Sequence, residues 1–203
     1  MRTLLLLLVT IHAVSFVPLA ASAATLTVIG GQLMGATGVD VGGSLFEVDF
    51  VPLTSSCIDL YTGCDSAEDF DFQTEAEASL AANALLDQVF IDGPDGLFDS
   101  NPTLINGHNS QILTQFIAII PFGIAPEAVS SVSAYNFPSG NNFISVEHTL
   151  NPAASSAETV FAYTLWTAVP EPGTALLMGL GLAGLASRRR QPTRIGSTSV
   201  VLG

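Results

Sequence analysis

The sequence predicts a mainly β protein: an antiparallel, sandwich-like β domain with one packed α-helix, followed by a C-terminal transmembrane helix. Three observations lead to this fold class. Short runs of alternating apolar and polar residues recur along the chain between clusters of Gly, Pro, Asn and Ser. A single run, at about residues 75–90, has helical spacing instead. Residues 173–187 form an apolar stretch that carries no charge.

The predicted strands begin at Thr25–Ile29, where β-branched and apolar residues alternate. Phe46, Val48 and Phe50 alternate with acids, which is typical of a strand with one buried and one solvated face. Glycines at 30–31, 35, 38 and 42–43 are expected to divide this region into short strands and turns. Further strand-like runs are Ile112–Ile120, Val129–Tyr135, Phe143–Thr149 and Thr159–Ala168.

The predicted helix begins after Thr74, which with Glu77 has the spacing of a capping box. Leu80, Ala84, Leu85 and Val89 would form its apolar stripe. Asp92-Gly93-Pro94 would then end the helical region.

Charge is segregated along the chain. The formal net charge is -13, all 18 acids lie between Asp40 and Glu171, and the chain has no Lys. Its five Arg residues are Arg2, Arg188, Arg189, Arg190 and Arg194. Residues 24–168 therefore lack the cations that nucleic-acid binding, phosphate clamping or Lys Schiff-base chemistry requires. Their carboxylates must be satisfied by water, backbone N–H groups or bound cations.

The two ends predict export. Residues 1–23 have the Arg, apolar run and small residues of a signal peptide, and Ala21 and Ala23 indicate cleavage by signal peptidase before Ala24. Residues 24–168 would form the extracytoplasmic domain. At the other end, three Arg directly after the apolar stretch are expected to remain in the cytoplasm.

The C-terminal segment 169–190 contains Pro170-Glu171-Pro172, the apolar stretch 173–187 and the cluster Arg188-Arg189-Arg190, in that order. This arrangement resembles the PEP-CTERM sorting signal of Gram-negative bacteria. The resemblance implies processing by exosortase near the Pro-Glu-Pro, transient anchoring in the inner membrane, and final residence at the cell surface or in an exopolysaccharide matrix. Residues 191–203 would be a short cytoplasmic tail, which is longer than the family usually has.

Cys57 and Cys64 are expected to form a disulfide, since an exported chain matures in an oxidising compartment and no His lies nearby in sequence to complete a metal site. Two groups of acids are candidate Ca²⁺ ligands: Asp69 and Asp71, and Asp92, Asp95 and Asp99. The alternatives are a solvated acidic loop for the first group and an ordinary turn for the second. No other cofactor is expected.

The sequence contains no recognisable catalytic arrangement. His108 lies in a predicted turn and His148 in a predicted strand, and no nucleophile elbow accompanies them. We therefore expect a non-enzymatic protein of the cell surface or matrix, with extracellular polysaccharide as a candidate partner. Two alternatives remain open: a Ca²⁺-dependent carbohydrate-binding module and a glycoside hydrolase that uses paired carboxylates.

Overall fold

A computed structural model of the chain describes residues 23–110, 113–125, 128–150, 160–170 and 179–182. Within these residues the chain forms nine strands, two α-helices and a further helical segment at 179–182, with two 3₁₀ turns at Ala67–Asp69 and Pro102–Leu104. The elements, in chain order, are β1 Thr25–Ile29, β2 Gln32–Val41, β3 Ser44–Pro52, α1 Cys57–Leu60, α2 Glu75–Gln88, β4 Asp92–Gly93, β5 Gly96–Leu97, β6 Phe116–Ala125, β7 Ala128–Asn136, β8 Phe143–Leu150 and β9 Phe161–Ala168.

Seven of the strands form one sheet in the order β1-β2-β3-β9-β6-β7-β8, and β4 and β5 form a separate hairpin. All neighbours in the large sheet are antiparallel except β6 and β9, which are parallel. The mainly β class is confirmed. The described strands do not form the two packed sheets of a sandwich, because non-strand segments cover both faces of the one sheet.

Helix α2 covers the first face of the sheet. Its buried residues are Ala78, Ala81, Ala82, Ala84 and Leu85. The small alanine side chains allow the helix to approach β2, β6, β7 and β8 closely. Phe50, Phe90 and Phe116 pack against one another beside it, with ring centroids 5.5–5.8 Å apart.

The second face is covered by the segment that contains the disulfide. Leu53, Cys57, Cys64 and Phe70 from this segment pack with Ile119 of β6, Val129 of β7 and Tyr163 of β9. Each central strand therefore buries alternate side chains on both faces. In β9, for example, Ala162 and Trp166 belong to the core under α2, whereas Tyr163 belongs to the core under the disulfide segment.

The predicted helix and the strand positions are largely confirmed, with three corrections. Leu80 is 52% exposed and does not belong to the buried stripe of α2. Gly35 and Gly38 lie inside β2 and are not turn residues. A Cβ on Gly35 would stand 2.1 Å from the carbonyl oxygen of Val48, and Gly38, at φ 71°, occupies a β-bulge.

The third correction concerns β6, which was expected at Ile112–Ile120 but runs from Phe116 to Ala125, through Pro121. Proline lacks the N–H that a central strand needs, and the predicted run ended directly before this residue. The pairing of β6 explains the difference. Only Ile117–Ile119 pair with β9, so Pro121 lies where β6 has lost its neighbour on that side.

Candidate functional site

The sheet divides between β6 and β9. Beyond Ile119 and Tyr163 the two strands are no longer paired, while β9 continues along β3 as far as Ala168. Two side chains bond to the backbone of β9 where β6 no longer pairs with it. The hydroxyl of Tyr61 donates to the carbonyl oxygen of Thr164 at 2.9 Å, and the Asp71 carboxylate accepts from the backbone N–H of Trp166. These two backbone groups of β9 therefore have hydrogen-bond partners although no strand pairs with them.

The pKa values of both side chains, Tyr61 and Asp71, are raised at this division of the sheet. Burial, together with the nearby Asp71 carboxylate, raises the pKa of Tyr61 far above its usual value. Partial burial also raises the pKa of Asp71, and the N–H groups of Trp166 and of Asp71 itself oppose part of that rise. Asp71, proposed from sequence as a Ca²⁺ ligand, therefore has a structural partner in β9.

The chain leaves the sheet directly after β9. The N–H of Val169 donates to the carbonyl oxygen of Leu45 at 2.8 Å, and Pro170 follows. The register places Ala168 opposite Phe46 and Thr25 opposite Thr37, so the chain enters and leaves the sheet at the same end. We call this the exit end and the opposite end of the sheet the distal end.

A cavity of about 290 Å³ lies under α2 at the exit end. Four apolar side chains, two carboxylates and two small residues line it: Val41, Phe46, Phe72, Leu80, Asp71, Glu77, Gly42 and Ser44. We call it the α2 cavity. Glu77 caps the helix through Oε2, which accepts from the backbone N–H of Gln73 at 3.1 Å and from the Thr74 hydroxyl at 3.0 Å. The predicted pairing of Thr74 and Glu77 is confirmed by this contact and by the Glu77 N–H, which donates to Thr74 Oγ1.

Two of the other candidate acids, Asp69 and Asp92, are also held by backbone N–H groups. Asp69 Oδ2 accepts from Asp65 and Ser66, at 2.9 and 3.1 Å, and closes the 3₁₀ turn. Asp92 Oδ1 accepts from the N–H groups of Asp99 and Ser100, both at 3.0 Å. These contacts lower the pKa of Asp92, the Ser100 N–H contributing most.

Asp95 lies in the exposed turn between β4 and β5, as expected for turn chemistry, and Asp99 Oδ1 accepts from the Asn142 amide at 2.7 Å. Within the described residues, no three His, Cys, Asp or Glu side chains are grouped so that they could hold a metal ion. Four of the five candidate Ca²⁺ ligands, all except Asp95, thus have hydrogen-bond partners within the protein.

The disulfide between Cys57 and Cys64 is present, as predicted, with a Cα–Cα distance of 5.8 Å. It closes a loop that begins with the short helix α1, whose first turn contains Asp59. The Asp59 carboxylate accepts from both the N–H and the hydroxyl of Ser56. The disulfide loop also contains Tyr61, whose hydroxyl bonds to Thr164 of β9. The loop closed by the disulfide is therefore attached to β9.

His108 and His148 have separate partners. Nε2 of His108 is 2.9 Å from the carbonyl oxygen of Leu113, and Nδ1 of His148 is 2.9 Å from Ser130 Oγ. Ser130 lines an open groove of about 690 Å³ at the exit end, together with Asp65 and Gln73. Within the described part of the chain, no carboxylate hydrogen-bonds to the second ring nitrogen of His148.

Three aromatic rings lie together at the distal end: Tyr135, Phe137 and Phe143. We call them the distal aromatic group. Their planes are within 20° of parallel, with centroids 4.6–6.2 Å apart. Phe143 is 48% exposed on the edge strand β8, and the Tyr135 hydroxyl donates to Glu147. The sequence carries no local signal for this group, because Tyr135 and Phe137 come from one strand end and Phe143 from the next.

The end of β9 and the segment that follows it match a known family model. The family model described as the PEP-CTERM protein-sorting motif matches residues 168–190. The chain carries a PEP-CTERM sorting motif. This confirms the resemblance drawn from Pro170-Glu171-Pro172 and Arg188–Arg190, and the motif implies exosortase as a processing partner. The PEP-CTERM motif is also consistent with export and surface localisation. No match was found among curated proteins or among solved structures.

Part of the PEP-CTERM motif lies outside the described residues, as do Ala21 of the signal peptide, Glu171, Pro172 and Arg188–Arg190. Of the stretch 173–187, residues 179–182 are described and are helical. Within the described segments, no helix has the length and apolarity that crossing a membrane requires. The transmembrane helix and the signal peptide remain predictions.

Proposed function

We propose that this chain is a non-catalytic component of the cell surface or extracellular matrix, exported by its signal peptide and processed by exosortase. The observation that carries the proposal is the PEP-CTERM motif, which begins at Ala168, the last residue of β9. A folded domain thus ends where the sorting signal begins. Removal of the signal near Pro170 would leave β9 and its pairing with β3 complete.

The contacts of the carboxylates support a non-catalytic role. Glycoside hydrolysis needs two carboxyl groups that face one space across the sugar. Of the acids named here only Asp71 and Glu77 line one cavity, and each of them accepts from a backbone N–H. Here Asp59, Asp69 and Asp92 each accept from backbone N–H groups close in sequence. Their positions are those of turn and helix caps, which stabilise loops in a domain without Lys or Arg.

Mass spectrometry of the surface protein tests the sorting proposal. In a strain with active exosortase, we expect an N-terminus at Ala24 and loss of the segment beyond Pro170-Glu171-Pro172. Replacement of these three residues by Ala should leave the segment attached, and Arg194→Ala, outside the motif, serves as the control. Recovery of intact Arg188–Arg190 in the mature surface pool of the unaltered protein would contradict the proposal.

Carbohydrate binding is a second candidate, favoured by the distal aromatic group. Exposed aromatic faces take up the apolar faces of sugars, and Glu147, Asp99 and Asn142 offer polar groups nearby. A chain with 18 acids would repel an anionic polymer, so the partner would be a neutral polysaccharide. This version of the candidate needs no Ca²⁺.

Affinity electrophoresis in gels that contain neutral or anionic polysaccharides distinguishes these cases. Retardation by a neutral polymer that Phe143→Ser abolishes would support the candidate. Val146→Ser is the matched control, because Val146 is a 40% exposed residue of the same strand. Equal migration of all three proteins in every gel would remove carbohydrate binding from consideration.

A further inference from the structure

The α2 cavity is half open to solvent and is lined by three separate parts of the chain. Val41 and Phe46 come from β2 and β3, Asp71 and Phe72 from the segment that fills the divided sheet, and Glu77 and Leu80 from α2. Exposed Leu80, which fits no buried stripe, forms one of its walls. At about 290 Å³ the cavity approaches the size of a small-molecule site.

The cavity is negatively charged and is not neutralised by the domain itself. Asp71 and Glu77 line it, and the sequence has no Lys or Arg between residues 3 and 187. Partial burial disfavours the charged form of Asp71, and this cost is relieved when a cation lies close to the carboxylate. A bound cation would therefore interact with both carboxylates in partly desolvated surroundings.

The walls of the cavity select an organic cation over a metal ion. Ca²⁺ needs six to eight oxygen ligands, whereas only Asp71, Glu77 and Ser44 contribute side-chain oxygens to this lining. Phe46 and Phe72 lie with ring centroids 5.4 Å apart at an interplanar angle of 53°. Aromatic rings beside carboxylates recognise methylated ammonium groups, whose C–H groups pack on the rings while the charge faces the acids.

We propose that the α2 cavity binds a methylated ammonium group of the choline type. The ligand could be free or part of a lipid headgroup, since Phe46 lies opposite Ala168, where the sorting motif begins. The inference depends only on the cavity and not on processing by exosortase, so the two can fail separately.

Calorimetric titration of the full chain with choline tests the proposal. The control ligand is the neutral isostere of choline, in which a tert-butyl group replaces the trimethylammonium group. We expect choline to bind and the isostere to bind at least about tenfold more weakly, because only choline is attracted by Asp71 and Glu77. Equal affinity for the two, or no binding of choline, would overturn the proposal.

Two variants test the assignment to this cavity. Asp71→Asn keeps an acceptor for the Trp166 N–H but removes the charge, and Phe46→Leu removes a ring; each should weaken choline binding about tenfold. Asp95→Asn, in the exposed β4–β5 turn, is the matched control and should bind like the unaltered protein. Unchanged affinity in both cavity variants would place the ligand elsewhere and refute the assignment. If Asp71→Asn does not fold, the Phe46→Leu variant and the neutral isostere of choline still test whether the α2 cavity binds choline.

Vesicles identify the source of the ligand. Association with phosphatidylcholine vesicles that free choline displaces would assign the cavity to a lipid headgroup. Binding of free choline without vesicle association would assign it to a soluble ligand. Association with phosphatidylglycerol vesicles that choline does not displace, in a protein without choline affinity, would contradict both assignments.

Discussion

Tyr61 and Tyr163 offer a matched test of the divided sheet, because the same substitution should have opposite effects at the two positions. Their rings pack edge to face at 6.1 Å, in one core. The Tyr61 hydroxyl bonds to Thr164, whereas the Tyr163 hydroxyl is buried and has no hydrogen-bond partner within the described structure. Tyr61→Phe removes a needed donor, and Tyr163→Phe removes an unsatisfied hydroxyl.

The magnitudes follow from these contacts. Tyr61→Phe leaves the Thr164 carbonyl oxygen without its partner where β9 has no neighbouring strand, which should cost about 1–3 kcal/mol. Tyr163→Phe should leave the free energy of unfolding unchanged or raise it by about 1 kcal/mol. With an m-value of about 2 kcal/mol/M, the urea midpoint should fall by roughly 0.5–1.5 M in the first variant.

The assay is urea unfolding of the oxidised protein, followed by fluorescence of Trp166. This is the one Trp of the chain and is buried in β9 next to the altered contact. Equal losses of stability in both variants, or a larger loss in Tyr163→Phe, would refute the role assigned to the Tyr61 hydroxyl.

Three further predictions concern pH, the disulfide and a glycine. Burial raises the pKa of Tyr135 and Tyr163 to about 12 and that of Tyr61 further, so the unfolded chain, with tyrosine pKa values of about 10, loses its protons first. Stability should thus fall from about pH 10 towards pH 12, and phenolate absorbance should rise together with the unfolding signal; titration of a tyrosine near pH 10 in the folded state would contradict this. Replacing both Cys57 and Cys64 by Ser should lower the free energy of unfolding by about 2–3 kcal/mol in urea titrations, and a change below about 0.5 kcal/mol would count against it. Gly35→Ala should lower the melting temperature strongly, because its Cβ would collide with Val48, while Gly93→Ala, with no atom within 4 Å, should not; similar melting temperatures would disprove the clash.

The strand positions and α2 could be predicted because their signals are local. Alternation marked β1, β3 and β9, and the Thr74–Glu77 spacing marked the start of α2. The single sheet could not be predicted, because the parallel pairing of β6 with β9 joins residues more than 40 positions apart. The position of Pro121 inside β6 could not be predicted for the same reason. A proline is accepted there because β9 no longer pairs with β6, and the sequence does not show where that pairing stops.

The candidate sites also differ in whether they depend on local sequence or on the fold. The disulfide and the sorting motif depend on short spacings and were read from the sequence. The α2 cavity depends on an exposed Leu80 that periodicity assigned to the core, and on Asp71, whose partner lies in β9. The acidic spacing left both Ca²⁺ binding and ordinary loop or turn chemistry open, because sequence does not show that Asp69 and Asp92 accept from nearby backbone N–H groups.

The departure of the chain from the end of β9 has a mechanical consequence. A pull on the C-terminal end of the domain, opposed at the distal end, acts along β9 and loads it in shear. Seven residue pairs join β9 to β3, from Phe46–Ala168 to Pro52–Ala162, and ladder bonds perpendicular to the pull share the load. The Tyr61 contact on the other edge adds resistance and is itself attached to a loop closed by the disulfide. Under tension the strand at whose end the sorting motif begins should therefore be among the last parts of the sheet to yield, which would suit the surface location proposed above.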